Sequence, residues 1–322
     1  MMNKKFWSFV IVICLLLFVT VISAVTGSVK MGISEFVQAM FQGNNDKFEV
    51  IKDLRFPRII VALFAGAALS VSGVLLQAVM RNPLADAGVI GISSGAGFLS
   101  MFAITFFPSM LLWSPFFAFL GGAIACFLVF SLSFKSGFSP LKLILVGIAI
   151  NAMFTGLREA FVTICSYFSI SIEGAVTSTL TMKTWKDVDI ILTYGVITLL
   201  VALFIFSWCN LLALQDKTAK NLGLRVNQTR LVISIVAVLL AAISTAVAGV
   251  ISFVGLLIPH ISRRIVGNDH KLLIPFSALA GALLILIADT LGRTLVAPQE
   301  IPASTIMAII GGPFLIFLLR KE

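Results

Sequence analysis

The sequence predicts an all-α, polytopic membrane protein with about ten transmembrane helices, forming a single domain over 1–322. Three observations predict it. Hydrophobic residues make up 59% of the chain and charged residues 11%, where a soluble domain carries roughly 25% charged residues. With a mean hydropathy of +1.10, so few charges could not cover a soluble surface of this size. After Arg55, Pro57 and Arg58, more than twenty residues pass without a charge, the length one helix needs to cross a bilayer core about 30 Å thick. That run is crowded with Gly66, Ala67, Ala68, Ser70, Ser72 and Gly73. Small residues let helix backbones approach inside lipid, where burying apolar area gives no drive for association, so the segment belongs to a packed bundle.

Charges, prolines and glycines divide the chain into ten candidate spans. The first, 5–26, follows Lys4 and Lys5. Its apolar part is longer than a secretory signal core and no small-x-small cleavage site follows, so a retained span is expected. The second, 57–80, begins on Pro57, whose fixed φ suits a first helical turn. Arg81-Asn82-Pro83 turns the chain into the third, 88–107. The fourth is 113–134, and the fifth, 141–168, carries Arg158 and Glu159. The sixth and seventh are 188–208 and 229–249. The eighth, 251–266, is short for a full crossing. The ninth, 273–297, holds Asp289 and Arg293, and the tenth is 303–320.

Three segments are not spans. Residues 27–56 include an amphipathic stretch, ISEFVQAMF, expected on the membrane surface, and 169–187 form a second loop on the same side. Residues 209–228 form the longest polar segment on the opposite side, with leucine and alanine spacing that fits one or two short helices. No convincing internal repeat is visible.

With the N-terminus inside, the inner segments hold fourteen of the 23 Lys and Arg residues, the bias expected of cytoplasmic loops. An even number of spans then places both termini in the cytoplasm of a cell that carries the chain in its cell membrane. The net charge of +9 reflects these loops facing anionic lipid rather than nucleic acid, because the basic residues gather on no single face or helix. Cys14, Cys126, Cys165 and Cys209 stand singly in apolar segments without a CxxC, so buried free thiols are expected and neither a disulfide framework nor a metal site is indicated.

No catalytic set is visible. There is no GxxxxGK[ST], so the chain does not hold nucleotide by that route. An intramembrane enzyme would have only His260, beside Pro259, as base, with no evident nucleophile. Asp289, an intramembrane carboxylate, is either a functional group or one half of an i,i+4 pair with Arg293; the pair is the simpler reading. Arg158 and Glu159 are read the same two ways. A proton-coupled secondary transporter would use Glu159 and Asp289. Arg55 and Arg58, three apart, project from roughly one helix face. They either anchor headgroups or present planar forks to carboxylates on a partner.

The run RFPR…GAALSVSGVLLQ…RNPLADAGVIGISSGAG resembles the iron-chelate and cobalamin permease family (FecCD/BtuC-like), the membrane subunits of type II ABC importers for siderophores, haem and cobalamin. So do LILVGIAIN at 143–151, AGVISFVGLLIPHISRRIVGNDHKLLIP at 248–275, ADTLGR at 288–293 and EIPASTIMAIIGGPFLIFLL at 300–319. The matches keep the family's order from about residue 55 to the C-terminus. One departure is Pro302-Ala303-Ser304, where the family usually has proline, a hydrophobic residue and glycine.

The resemblance implies a homodimer with a central pathway, two cytoplasmic ATPase subunits that bind ATP and Mg, and an extracellular substrate-binding lipoprotein; the chain itself holds no cofactor and catalyses nothing. It implies that Arg55, Arg58 and Arg293 receive glutamates of the binding protein. It also implies that 215–225 couples to the ATPase through Asp216, Ala219, Leu222 and Gly223, the glycine permitting the turn between two short helices. The pathway is expected to involve Gln77, Asn151, Thr155, Gly255 and Pro259. The overall wording is similar to haem-iron permeases of Gram-positive iron-regulated surface systems. Haem is therefore the expected cargo, with a ferric siderophore as the close alternative and cobalamin third.

Overall fold

The computed structural model of the chain describes residues 2–26, 32, 46–134, 140–170, 172, 180–297 and 299–320, and every element within them is helical. In chain order these are α1 (Met2–Val25), α2 (Asp46–Leu54), α3 (Phe56–Met80), α4 (Ile92–Phe106), a 3-10 turn (Pro108–Trp113), α5 (Ser114–Phe134) and α6 (Pro140–Tyr167). Next comes α7 (Trp185–Phe204), with one π turn at Ile191–Gly195. Then follow α8 (Phe206–Leu212), α9 (Asp216–Asn221), α10 (Val226–Ala248), α11 (Val254–Val266), α12 (His270–Thr294) and α13 (Ala303–Leu319).

Each of the ten apolar segments is helical. Among the described residues, seven helices are long and apolar enough to cross a membrane, and the chain is a multi-pass membrane protein. α4 and α13 are apolar but shorter. α11 has 13 residues, about 20 Å at 1.5 Å per residue, less than a bilayer core of about 30 Å. Of the ten expected spans, seven are thus full crossings by length among the described residues, and the eighth is short as expected. α4 starts four residues later than expected because side chains hold the preceding turn. Asn82 Oδ1 accepts from the Leu84 N–H at 2.9 Å, and Asp86 Oδ2 from the Gly88 N–H at 3.1 Å. The amphipathic stretch at 33–41 lies outside the described residues, as does most of 169–187.

α3 is the central post. It is apolar on all sides and is therefore buried on all sides: 89% of its apolar stretch is inside, against 11% for α1 and 17% for α6. It packs against α10, α11 and α12. The α3–α12 pair is antiparallel, with Arg58 beside Asp289, Gly66 against Gly281, and Ser70 Oγ donating to the Ser277 carbonyl at 2.7 Å. A Cβ on Gly66 or Gly281 would strike the other's backbone carbonyl, so only glycine permits this approach. Ser72 Oγ donates to the Ala237 carbonyl of α10 at 2.8 Å. These hydroxyls find acceptors on neighbouring backbones because lipid supplies none. Outward faces carry large apolar residues such as Phe127, Phe204 and Leu231.

Candidate functional site

At the end of the bundle where α3 begins and α12 finishes, the three sequence-selected arginines gather, two of them on one carboxylate. Arg58 Nη2 meets Asp289 Oδ1 at 2.8 Å and its Nε lies 3.0 Å from the same oxygen, while Nη1 reaches Glu300 Oε2 at 2.8 Å. Arg293, one turn after Asp289 on α12, places Nε 3.3 Å from Oδ2, an ion pair without hydrogen-bond geometry. Its Nη2 donates to Ser23 Oγ at 2.6 Å. Arg55 Nη1 donates to the Ala24 carbonyl at 2.6 Å. The end of α1 thereby closes over two arginines while the third is held by carboxylates. Arg55, Arg58, Arg293 and Asp289 are all buried within this one subunit. A buried arginine requires such partners, since an isolated ion taken out of water loses several kcal/mol of hydration. The expected Asp289–Arg293 pair is present, and the stronger bond is to Arg58. Sequence spacing could not show Glu300 or Ser23 as members, although Glu300 lies inside a motif that the sequence singles out.

At the opposite end, α9 stands on two arginines. Asp216, its first residue, pairs with Arg81 Nη2 at 2.6 Å and Arg230 Nη2 at 3.0 Å. Arg81 is the left-handed C-cap of α3 (φ 48°), and its Nε donates to the Leu212 carbonyl at 2.9 Å. Arg230 lies in the first turns of α10. Asp216 therefore ties α9 to both long helices. Ala219 is fully buried, Leu222 is exposed, and Gly223 has φ +84° with open space around its Cα. An L side chain in that left-handed turn costs roughly 1–2 kcal/mol, which accounts for the glycine between α9 and α10. The sequence pointed to Asp216, Ala219, Leu222 and Gly223 but not to Arg81 and Arg230, whose charges read as ordinary loop signals.

Beside this end, Asp86 is buried and accepts from the N–H groups of Gly88 at 3.1 Å and Phe253 at 3.3 Å. It thus joins the 81–91 turn to the start of α11, where backbone N–H groups favour an anion. Burial pushes its carboxyl above the ordinary carboxylate range, with the backbone donors acting against that rise. Asn210 donates to Asp269 at 2.8 Å and accepts from the His270 N–H at 2.9 Å, fastening α8 to the start of α12. The Asp269 carboxyl is held below its usual range first by Asn210 and then by the Lys271 N–H. Cys126, Cys165 and Cys209 are buried free thiols and Cys14 is exposed; burial pushes the Cys209 thiol up to about 12.

The five pathway candidates fall into two sets. Asn151 and Thr155 lie on the largely uncovered face of α6, half-buried and exposed respectively. Gln77, Gly255 and Pro259 are buried inside the subunit. Gln77 Nε2 donates to the Gly255 carbonyl at 3.0 Å, and its oxygen accepts from Arg263. A Cβ on Gly255 would lie 2.8 Å from the Leu69 carbonyl, so these residues set the α3–α11 packing. On the same uncovered side, Arg158 faces a cavity of about 110 Å³ with Val250, Pro302 and Ser304 in its wall.

The profile of the FecCD transport family matches residues 15–321. The chain belongs to that family. It is 38% identical over 320 residues to "Probable heme-iron transport system permease protein IsdF" of Staphylococcus aureus strain MSSA476, covering 99% of this chain and 97% of the relative. The same identity and coverage hold for the protein of that name from strain Newman. Among solved structures, the chain is similar to a metal-chelate type ABC transporter in an inward-facing conformation, with TM-score 0.78, 31% identity and coverage of 99% and 100%. PsaBC from Streptococcus pneumoniae shares the fold at TM-score 0.58 and 16% identity, with coverage of 89% and 95%. The family assignment supports the sequence-level resemblance over nearly the whole chain.

Proposed function

We propose that the chain is the membrane-spanning permease subunit of an ABC importer that carries an iron complex, haem foremost, into the cytoplasm. The observation that carries this reading is the 38% identity, spread over 99% of the chain, to permeases named for haem iron. ATP hydrolysis belongs to a separate cytoplasmic ATPase dimer, and an extracellular lipoprotein delivers the cargo. Two copies of the chain form the pathway, each with ten membrane-embedded helices, three of them short, and both termini in the cytoplasm.

In this reading the Arg55–Arg58–Arg293 cluster is the outer docking site and α9 with Gly223 is the inner lever. Burial gives the docking role a specific form. The binding protein's glutamates would compete with Asp289, Glu300 and the end of α1 for guanidinium groups already engaged, so docking loosens α1 and α3 from α12. At the other end, the clamp of Asp216 on Arg81 and Arg230 passes motion of α9 directly to α3 and α10. Asn151 and Thr155 line the pathway. Gln77, Gly255 and Pro259 act behind it by positioning α11. No charge on this chain carries out chemistry; ATP shifts the relative stability of two arrangements.

A ferric siderophore or other metal chelate is the second reading, favoured by the metal-chelate transporter at 31% identity. Uptake of radiolabelled haem and of ferric siderophores, in cells expressing the chain with its ATPase and binding protein, separates the two. Haem uptake lost on deleting the chain supports the first reading; siderophore uptake alone overturns it in favour of the second.

A further inference from the structure

α5 and α10 leave between them an outward-facing groove of about 420 Å³ with Val79 of α3 at its base. Phe119, Ala123, Phe127 and Phe130 form one wall, a single helix face at spacings of three and four residues. The facing wall is Leu231, Ile235 and Val238, with Asn227, Arg230 and Ser234 supplying its polar groups. From Phe119 to Phe130 the groove runs about 17 Å at 1.5 Å per residue, close to one leaflet of a bilayer core about 30 Å thick. Its polar end lies beside α9, where Arg230 meets Asp216, and Lys217, Lys220 and Arg225 belong to the same basic stretch of sequence.

Arg230 decides what fits. Its Nη2 is on Asp216, but its Nε is buried with no hydrogen-bond partner among the described residues. The side chain as a whole keeps 21% exposure and lines the groove, and a partly open cation at the end of an apolar slot one leaflet long matches a phosphate ester carrying an acyl chain. A short run of basic residues next to the membrane also favours anionic lipid.

We propose that this groove seats one anionic phospholipid, its acyl chain between α5 and α10 and its phosphate on Arg230. Phosphate on a guanidinium is a charge-assisted hydrogen bond. A zwitterionic lipid offers the same phosphate, but its ammonium offsets the negative charge that Arg230 meets at the end of the groove. The site does not depend on which solute the protein carries.

Native mass spectrometry of the purified, delipidated full-length chain titrated with phosphatidylglycerol or phosphatidylcholine tests it. The wild type is expected to retain phosphatidylglycerol at about tenfold lower concentration than phosphatidylcholine, the scale of one basic residue meeting an anionic headgroup. Arg230→Gln should bring the two lipids level, and Ala123→Trp, which fills the slot, should lose both while circular dichroism stays unchanged. Arg225→Gln, which removes a loop charge outside the groove, should keep the preference. Equal retention of the two lipids by the wild type overturns the proposal. So does an undiminished preference in Arg230→Gln, wild-type retention in Ala123→Trp, or loss of the preference in Arg225→Gln, which would mark a diffuse charge effect.

Discussion

Arg58 on α3 and Asp289 on α12 form a bidentate ion pair, with Nη2 and Nε at 2.8 Å and 3.0 Å from Oδ1, across 231 residues of sequence. The pair fixes the antiparallel register of the two helices at the same end where α1 covers Arg55 and Arg293. Removing one member leaves the other charged and buried, and breaking a buried pair costs about 3–5 kcal/mol. Asp289→Ala should lower unfolding stability in detergent by about that amount. The double change Arg58→Met with Asp289→Leu should recover only part of it, because buried Arg293 also loses its carboxylate. A single-variant loss below about 1 kcal/mol would show that the pair does not hold the helices.

Gly66 and Gly281 carry the close approach of α3 and α12, and overpacking a filled contact costs roughly 1–3 kcal/mol or more. Gly66→Ala should reduce the melting temperature and the yield of monodisperse protein. Gly156 of α6 has nothing within 4 Å of where its Cβ would stand. Gly156→Ala should stabilise the isolated subunit by about 0.5–1 kcal/mol, the ordinary helix-interior preference. Equal responses at the two sites would contradict the packing described for α3.

Asp86 gives a pH dependence whose sign is set by burial. Its folded pKa is raised, so its contribution to stability is fully present below the unfolded value near 3.9 and is lost as pH climbs through the raised value. Asp86→Asn keeps an oxygen for the Gly88 and Phe253 N–H groups and cannot ionise. In thermal unfolding from about pH 4 upward, the variant should gain on the wild type as pH rises. A constant gap would mean that the carboxyl is not desolvated. Asp86→Leu, which strands those donors, should cost about 1–3 kcal/mol for each one left bare.

Gly223→Val tests the lever. Open space surrounds the residue, so a penalty can come only from its φ of +84°. In the assembled transporter, ATPase activity should persist while cargo-stimulated uptake falls by tenfold or more. Unaltered coupling would remove 215–225 from the mechanism.

Much of this was legible in the sequence, for identifiable reasons. The long helices show as apolar runs bounded by charge, and α3, α10 and α12 begin within three residues of their expected starts. Asp289 and Arg293 were linked by i,i+4 spacing alone. The Arg58–Asp289 bond was not legible, because it depends on how two distant helices align. Nor could spacing place Gln77, a lone amide in an apolar helix, within the α3–α11 packing. α4 begins late because Asn82 and Asp86 bond to backbone N–H groups, a competition that hydropathy does not register. The shared use of Arg81 and Arg230 by Asp216 joins three segments that the sequence presents as one basic loop.

The proposed docking role of the arginines can be probed at Arg55, whose Nη1 donates to the Ala24 carbonyl. Arg55→Gln, which keeps a donor for the Ala24 carbonyl, should cut uptake by tenfold or more while leaving the melting temperature within a few degrees of wild type. Normal uptake would remove the docking claim.

The central claim is that the chain is a gate moved by a separate ATPase. It is tested most directly in sealed proteoliposomes by measuring haem accumulation with the chain alone and with the chain, ATPase, binding protein and internal Mg-ATP. Accumulation only in the complete system is the predicted result. Accumulation by the chain alone, driven by an imposed proton gradient, would contradict it.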